Sequence, residues 1–96
     1  MYQVNILPAA KLDISDAANW YNSKQQDLGK QFVKEIRNKT LLIVHNPKIY
    51  PVRYKNIRTT VLDVFPFMIH YTFDESNKTI LIVGVFHTSL NPDRWR

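Results

Sequence analysis

The sequence predicts an α+β domain: an N-terminal strand, an antiparallel helical hairpin, then a three-strand antiparallel meander, with the helices packed on one face of a mainly antiparallel sheet. Three observations carry this. Apolar residues recur every three or four positions in the first half and every two in the second, and the switch falls near Asn46. β-Branched and aromatic residues then concentrate between Arg58 and Phe86. The chain has 96 residues, enough for one continuous core and too few for a second, so residues 1–96 read as a single domain.

Taken in order, Tyr2, Val4 and Ile6 alternate with Gln3 and Asn5, the period of a half-buried strand, and Pro8 ends it. Ala10, Ile14, Ala17 and Tyr21 form the apolar stripe of a first helix, with Trp20 beside them and Asp13 and Asp16 in its early turns. Asp27, Leu28 and Gly29 permit a turn. Phe32, Ile36, Thr40, Ile43 and Val44 mark a second helix, which Asn46-Pro47 stops. Helices joined so tightly lie antiparallel. Leu41 and Leu42 fall outside the second stripe and leave an apolar spot for a partner.

The meander is read from Arg58–Val64, Phe67–Phe73 and Thr79–Phe86, separated by Phe65-Pro66 and by the polar run from Asp74 to Lys78. Pairing Val64 with Phe67 and Phe73 with Ile80 sorts the side chains by parity. The helix-covered face then collects Leu62, Val64, Phe67, Ile69, Tyr71, Phe73, Ile80, Ile82, Gly84 and Phe86. Met68, His70, Val85 and His87 fall on the opposite face, which is mixed enough to need a cover. The expected core contains Trp20, Tyr21, Phe32, Ile36, Ile69, Tyr71, Ile82 and Phe86.

Composition narrows the function classes. Thirteen Lys and Arg against eight Asp and Glu give a net charge of +5. Nine of the basic residues lie between Lys24 and Arg58, where the only acidic residues are Asp27 and Glu35. No apolar run approaches the roughly 20 residues of a membrane span, and Met1–Leu7 lacks a signal-peptide pattern, so neither export nor membrane insertion is expected. The absence of cysteine removes disulfides, thiol nucleophiles and thiolate zinc sites, and fits a cytoplasmic protein. The three histidines fall on different elements, so no metal site and no cofactor is expected.

The basic residues of the second helix read as a solvated face. Lys48, Arg53, Lys55 and Arg58 differ, because they sit among Pro, Tyr and Asn with no acidic residue between them. They make a patch for an anion, either phosphate or a partner's carboxylates. Tyr50, Tyr54 and Trp95 lie beside basic residues in poorly periodic segments, where cation–π or base contacts are available. His70 and His87 have the residue type for proton transfer near neutral pH. By parity they share a face about four strand residues apart, roughly 13 Å at ~3.3 Å per residue, too far to act on one phosphate together.

The order of these elements, with Ala10-Lys11-Leu12-Asp13-Ile14, Trp20-Tyr21, Leu28-Gly29 with Phe32, and Asn46-Pro47 before Tyr50-Pro51, resembles the RelE/ParE superfamily of bacterial toxins. The likeness continues through Arg58, Phe65-Pro66-Phe67 with Tyr71, His87, and Asn91-Pro92 before Trp95. The resemblance implies the toxin of a type II toxin-antitoxin system, held inactive by a cognate antitoxin. ParE-like members bind and inhibit DNA gyrase; RelE-like members are endoribonucleases that cleave mRNA in the ribosome. The binding residues would be Arg53, Lys55, Arg58, Arg94, Trp95 and Arg96: on a gyrase reading Arg58 and the tail residues Arg94, Trp95 and Arg96 make the contacts, and on a nuclease reading Arg53, Lys55 and Arg58 hold phosphate. On a nuclease reading the catalytic groups would be His87, His70 and Arg58. Met68 stands where RelE-like nucleases carry a basic residue, which favours a binding toxin over an enzyme. A third possibility is a toxin-like module that has lost its activity and acts as an interaction protein.

Overall fold

Pro8 both closes the first strand and opens the first helix, because its fixed φ suits a first helical turn that has no use for its missing N–H. The computed structural model describes residues 1–95. Its elements are β1 (Gln3–Ile6), α1 (Pro8–Lys24), α2 (Leu28–His45), β2 (Val52–Tyr54), β3 (Ile57–Val61), β4 (Phe67–Asp74), β5 (Thr79–His87) and a final 3-10 turn (Pro92–Arg94). The strands form one mixed sheet in the order β1-β5-β4-β3-β2. β1 runs parallel to β5, and every other neighbouring pair is antiparallel. β2 extends the predicted meander by one strand too short to show alternation in sequence. No helix of the described residues is long and apolar enough to cross a membrane, and no three of their His, Asp or Glu side chains gather where a metal ion could be held.

The hairpin closes at Gly29. Its N–H donates to the Asn22 side-chain oxygen at 2.7 Å, and a Cβ there would stand 2.2 Å from the Ala18 carbonyl oxygen. Only glycine lets the two helix backbones come this close. Asp27, in the left-handed region at φ 65°, reverses the chain just before α2.

Beneath the hairpin lies the core. Phe32 is completely buried, and its ring meets those of Tyr21, Phe65 and Phe67 at 5.2–5.5 Å between centres. Ile36, Ile43, Ile69, Tyr71, Ile80 and Ile82 continue the cluster. Two expected members are absent from it. Trp20 is 57% exposed, since one residue is a 100° step on a helix and Tyr21 already faces the sheet. Phe86 is buried on the other side of the sheet, for a reason that lies in β5.

Phe73 pairs with Ile80 and Tyr71 with Ile82, but His70 pairs with Gly84, so one extra residue of β5 sits at a bulge. Beyond it parity reverses: Val85 faces the helices opposite Ile69, His87 lies opposite Phe67, and Gly84 and Phe86 turn to the far face with His70 and Met68. Asp13 of α1 accepts the Val85 N–H at 3.1 Å, so α1 supplies a backbone partner close to the irregularity. A glycine inside an otherwise β-branched run was its local sequence mark.

The predicted Val64–Phe67 pair does not form. β3 ends at Val61, opposite Met68, and Val64 is 79% exposed in the loop that follows. α2 holds that loop, because Glu35 accepts the N–H groups of both Asp63 and Val64, and Lys39 pairs with Asp63 at 3.1 Å.

Candidate functional site

The sheet face turned away from the helices is covered by the C-terminal segment, and His70 lies beneath that cover. His70 is completely buried. Its Nδ1 is 3.0 Å from the Tyr54 hydroxyl, and the rings of Trp95 and Phe86 stand 4.6 and 4.7 Å away. Burial, with the Arg53 guanidinium nearby, lowers its pKa to about 4, against a weaker opposing pull from Asp13. The imidazole is therefore neutral at pH 7 and shut off from solvent. Burial likewise raises the Tyr54 pKa and keeps that hydroxyl protonated.

On the outer side of the same cover is a cleft of about 420 Å³ lined by Arg53, Tyr54, Lys55, Pro92, Asp93 and Trp95. Three of the predicted binding residues meet here. The Arg53 guanidinium lies 5.4 Å from the Trp95 ring, and Lys55 occupies the tight β2–β3 turn in the left-handed region at φ 48°. Among the described residues neither cation is in an ion pair, whereas Lys48 is bound to Glu75 at 2.8 Å. Arg94 is exposed at the end of the 3-10 turn. Arg96 lies outside the described residues.

Arg58 does not join this group. Its register partner is Tyr71, which belongs to the core under the helices. It donates to the Tyr50 carbonyl at 2.7 Å, and its guanidinium sits 5.4 Å from the Phe73 ring. Tyr71 donates from its hydroxyl to the Pro47 carbonyl at 2.7 Å. Arg58 and Tyr71 together pin the segment that joins α2 to β2, a structural use of the Asn46-Pro47 and Tyr50-Pro51 motifs. Tyr50 is committed to that segment and Tyr54 to His70, so neither stands free as a stacking platform.

His87 is on the opposite side of the sheet from His70. It borders an apolar cleft of about 430 Å³ with Ala17, Trp20, Tyr21, Pro66 and Phe67, and its Nδ1 accepts the Ser89 N–H at 3.0 Å. The expectation that the two histidines share a face fails because the bulge reverses the parity of β5 between Ile82 and Gly84. The three residues named for a nuclease thus occupy separate environments: His70 buried under the tail, His87 exposed beside the hairpin, Arg58 bound to a loop carbonyl. What the geometry offers chemically is a cationic, aromatic-edged cleft on one face and an apolar cleft on the other.

No curated protein matches the sequence. The fold is similar to the chromosomal ParDE toxin-antitoxin system of P. aeruginosa, at a TM-score of 0.79 and 16% identity over 93% of this chain and 98% of that one. It is also similar to the intact RelBE toxin-antitoxin complex of E. coli, at 0.72 and 12% identity over 94% of this chain and all of that one, and to the isolated RelE toxin of E. coli, at 0.72 and 11% identity over 97% and 90%. These likenesses establish the fold. The family model described as the ParE toxin of the type II toxin-antitoxin system parDE matches residues 4–92, from within β1 to the start of the terminal turn. That span takes in the hairpin and the bulged β5 and stops short of Trp95, and by it this chain belongs to the ParE toxin family of type II toxin-antitoxin systems.

Proposed function

We propose that the protein stops growth by binding and inhibiting DNA gyrase in the cytoplasm, through the cleft formed by Arg53, Lys55 and Trp95, and that a cognate antitoxin neutralises it. The observation that carries this reading is the separation of His70 from His87. RNA cleavage of the RelE type needs a group to help deprotonate a 2′-hydroxyl, a proton donor for the leaving oxygen and cations at the phosphate, all within reach of one another. Here one histidine is sealed and neutral, the other lies across the sheet, and Met68 is buried. The cations of the cleft remain available for attraction and contact, which is what a binding toxin requires.

The antitoxin side of the reading rests on charge and on exposed apolar surface. Leu12, Trp20, Leu41 and Leu42 are all exposed on the hairpin of a +5 domain. An acidic segment with apolar anchors suits that surface, charge speeding the encounter and buried anchors holding the complex. The similar ParDE and RelBE structures are toxin-antitoxin systems by name, in keeping with such a partner.

Induced expression followed by a supercoiling assay and by primer extension on cellular mRNA tests the target. Loss of supercoiling without new mRNA ends is expected. Ribosome-dependent cleavage ends that vanish in His87→Ala, with supercoiling intact, would assign a nuclease instead; no growth defect at all would leave an inactive interaction module. Co-expression with the product of the adjacent gene should relieve the arrest and yield a complex.

A further inference from the structure

Two side-chain polar atoms among the described residues are buried without a hydrogen-bond partner, and they belong to neighbouring rings: His70 Nε2 and Trp95 Nε1. Such orphans are rare in folded proteins and call for an explanation. An indole N–H can only donate. An imidazole Nε2 accepts when the ring proton sits on Nδ1, and Nδ1 here is 3.0 Å from the Tyr54 hydroxyl, an oxygen able to accept a hydrogen bond from Nδ1–H. The two rings meet edge to face with centres 4.6 Å apart. The unpartnered donor and the unpartnered acceptor therefore lie on adjacent rings.

We propose that His70 is a positioning residue: as the Nδ1–H tautomer bonded to Tyr54, it accepts the Trp95 indole N–H and so clamps the C-terminal segment against β2, fixing Trp95 beside Arg53 and Lys55 in the arrangement that binds the target. The proposal rests on the binding reading above for its functional half and on the two rings alone for its structural half.

The surroundings agree from each side. β2 contributes Tyr54 and the cation Arg53, which opposes a charge on the imidazole. β5 contributes Phe86 and the side-chain-free Gly84. From α1 comes the carboxylate of Asp13, whose opposing effect on the ring is outweighed, leaving the pKa at about 4. An acceptor nitrogen requires that neutral state, since an imidazolium donates from both positions. Trp95 is held on its other sides by the Tyr54 ring at 5.2 Å and the Arg53 guanidinium at 5.4 Å. The segment that carries it is itself tied, with Asn91 accepting the Asp93 N–H at 3.0 Å and the Trp95 N–H meeting the Pro92 carbonyl at 3.1 Å. Holding the indole therefore holds the whole turn.

The test begins with the purified toxin, labelled with ¹⁵N. At pH 7 the histidine spectrum should show His70 protonated on Nδ1, and the Trp95 indole proton should exchange with solvent about 100-fold more slowly than that of exposed Trp20. A proton on Nε2, or an indole exchanging as fast as that of Trp20, would overturn the clamp whatever the target. Gyrase inhibition supplies the second arm. Trp95→Phe keeps a ring and loses the donor, and should weaken inhibition about tenfold, as should His70→Leu. His70→Gln, whose amide oxygen can accept the same N–H, should restore most of the potency. Folded His70→Leu with full potency would refute the positioning role. If the clamp signature is present and the parent protein leaves gyrase untouched, the clamp stands and the target reading alone falls.

Discussion

Gly84 stands directly opposite His70 on β4 and β5, and the Phe86 ring occupies the space where a side chain at position 84 would begin. A Cβ there would lie 2.4 Å from that ring, which in turn packs 4.7 Å from the imidazole. Gly84→Ala is expected to displace Phe86 and loosen the cover over His70. The cost should be about 1 to 3 kcal/mol, the usual penalty of overpacking, read from the denaturant midpoint. Unchanged stability would mean that Phe86 has a second seat on this face.

Phe32 and Trp20 should respond in opposite ways to the same truncation. Phe32 is fully buried among three other rings, so Phe32→Ala should cost about 3 to 5 kcal/mol. Trp20 is largely exposed, and Trp20→Ala should stay within about 1 kcal/mol of the parent. Its effect belongs instead to antitoxin affinity, measurable by titration of the complex. Thermal melts of the two variants, run side by side, separate core from docking surface; a large loss in Trp20→Ala would contradict this division.

Acid should weaken the fold through His70. In the unfolded chain an imidazole titrates near pH 6.5, and in the folded protein it is held at about 4. Between those values the unfolded state takes up a proton that the folded state refuses, so stability is complete above the unfolded pKa and declines as pH falls toward 4. The difference amounts to something on the order of 3 kcal/mol. Denaturant midpoints at pH 7 and pH 4.5 should therefore draw together in His70→Gln relative to the parent. Equal pH slopes in the two proteins would remove the assignment.

Arg58 and Arg53 should part company as well. Arg58 serves a backbone carbonyl, so Arg58→Met should cost about 1 to 2 kcal/mol and reduce growth arrest only as far as it reduces folded protein. Arg53 faces the cleft, and Arg53→Gln should change stability by less than about 1 kcal/mol while weakening gyrase inhibition. Melting curves set against supercoiling inhibition decide the matter, and the reverse pattern would move the functional surface to the helix side of the sheet.

Periodicity alone determined the strand, the hairpin, the meander and the burial of Phe32, Ile36, Ile69 and Tyr71, because each depends on repeats of 3.6 or 2 residues that are local properties of the chain. The tight turn was legible at Leu28-Gly29, and Phe73 was correctly paired with Ile80. Tertiary structure decided what lies beyond such repeats. One bulged residue in β5 exchanged the faces of Val85, Phe86 and His87, because parity carries no information across an insertion in the ladder. Trp20 was placed by the 100° step from Tyr21, and Arg58 by a carbonyl eight residues earlier in the chain. The cover over His70 depends on Trp95 returning from the far end of the sequence to meet Tyr54. Such contacts are set by which buried polar atoms and rings find one another once the sheet has formed, so the cationic and aromatic residues of the cleft were visible in the sequence while the separation of His70 from His87 was not.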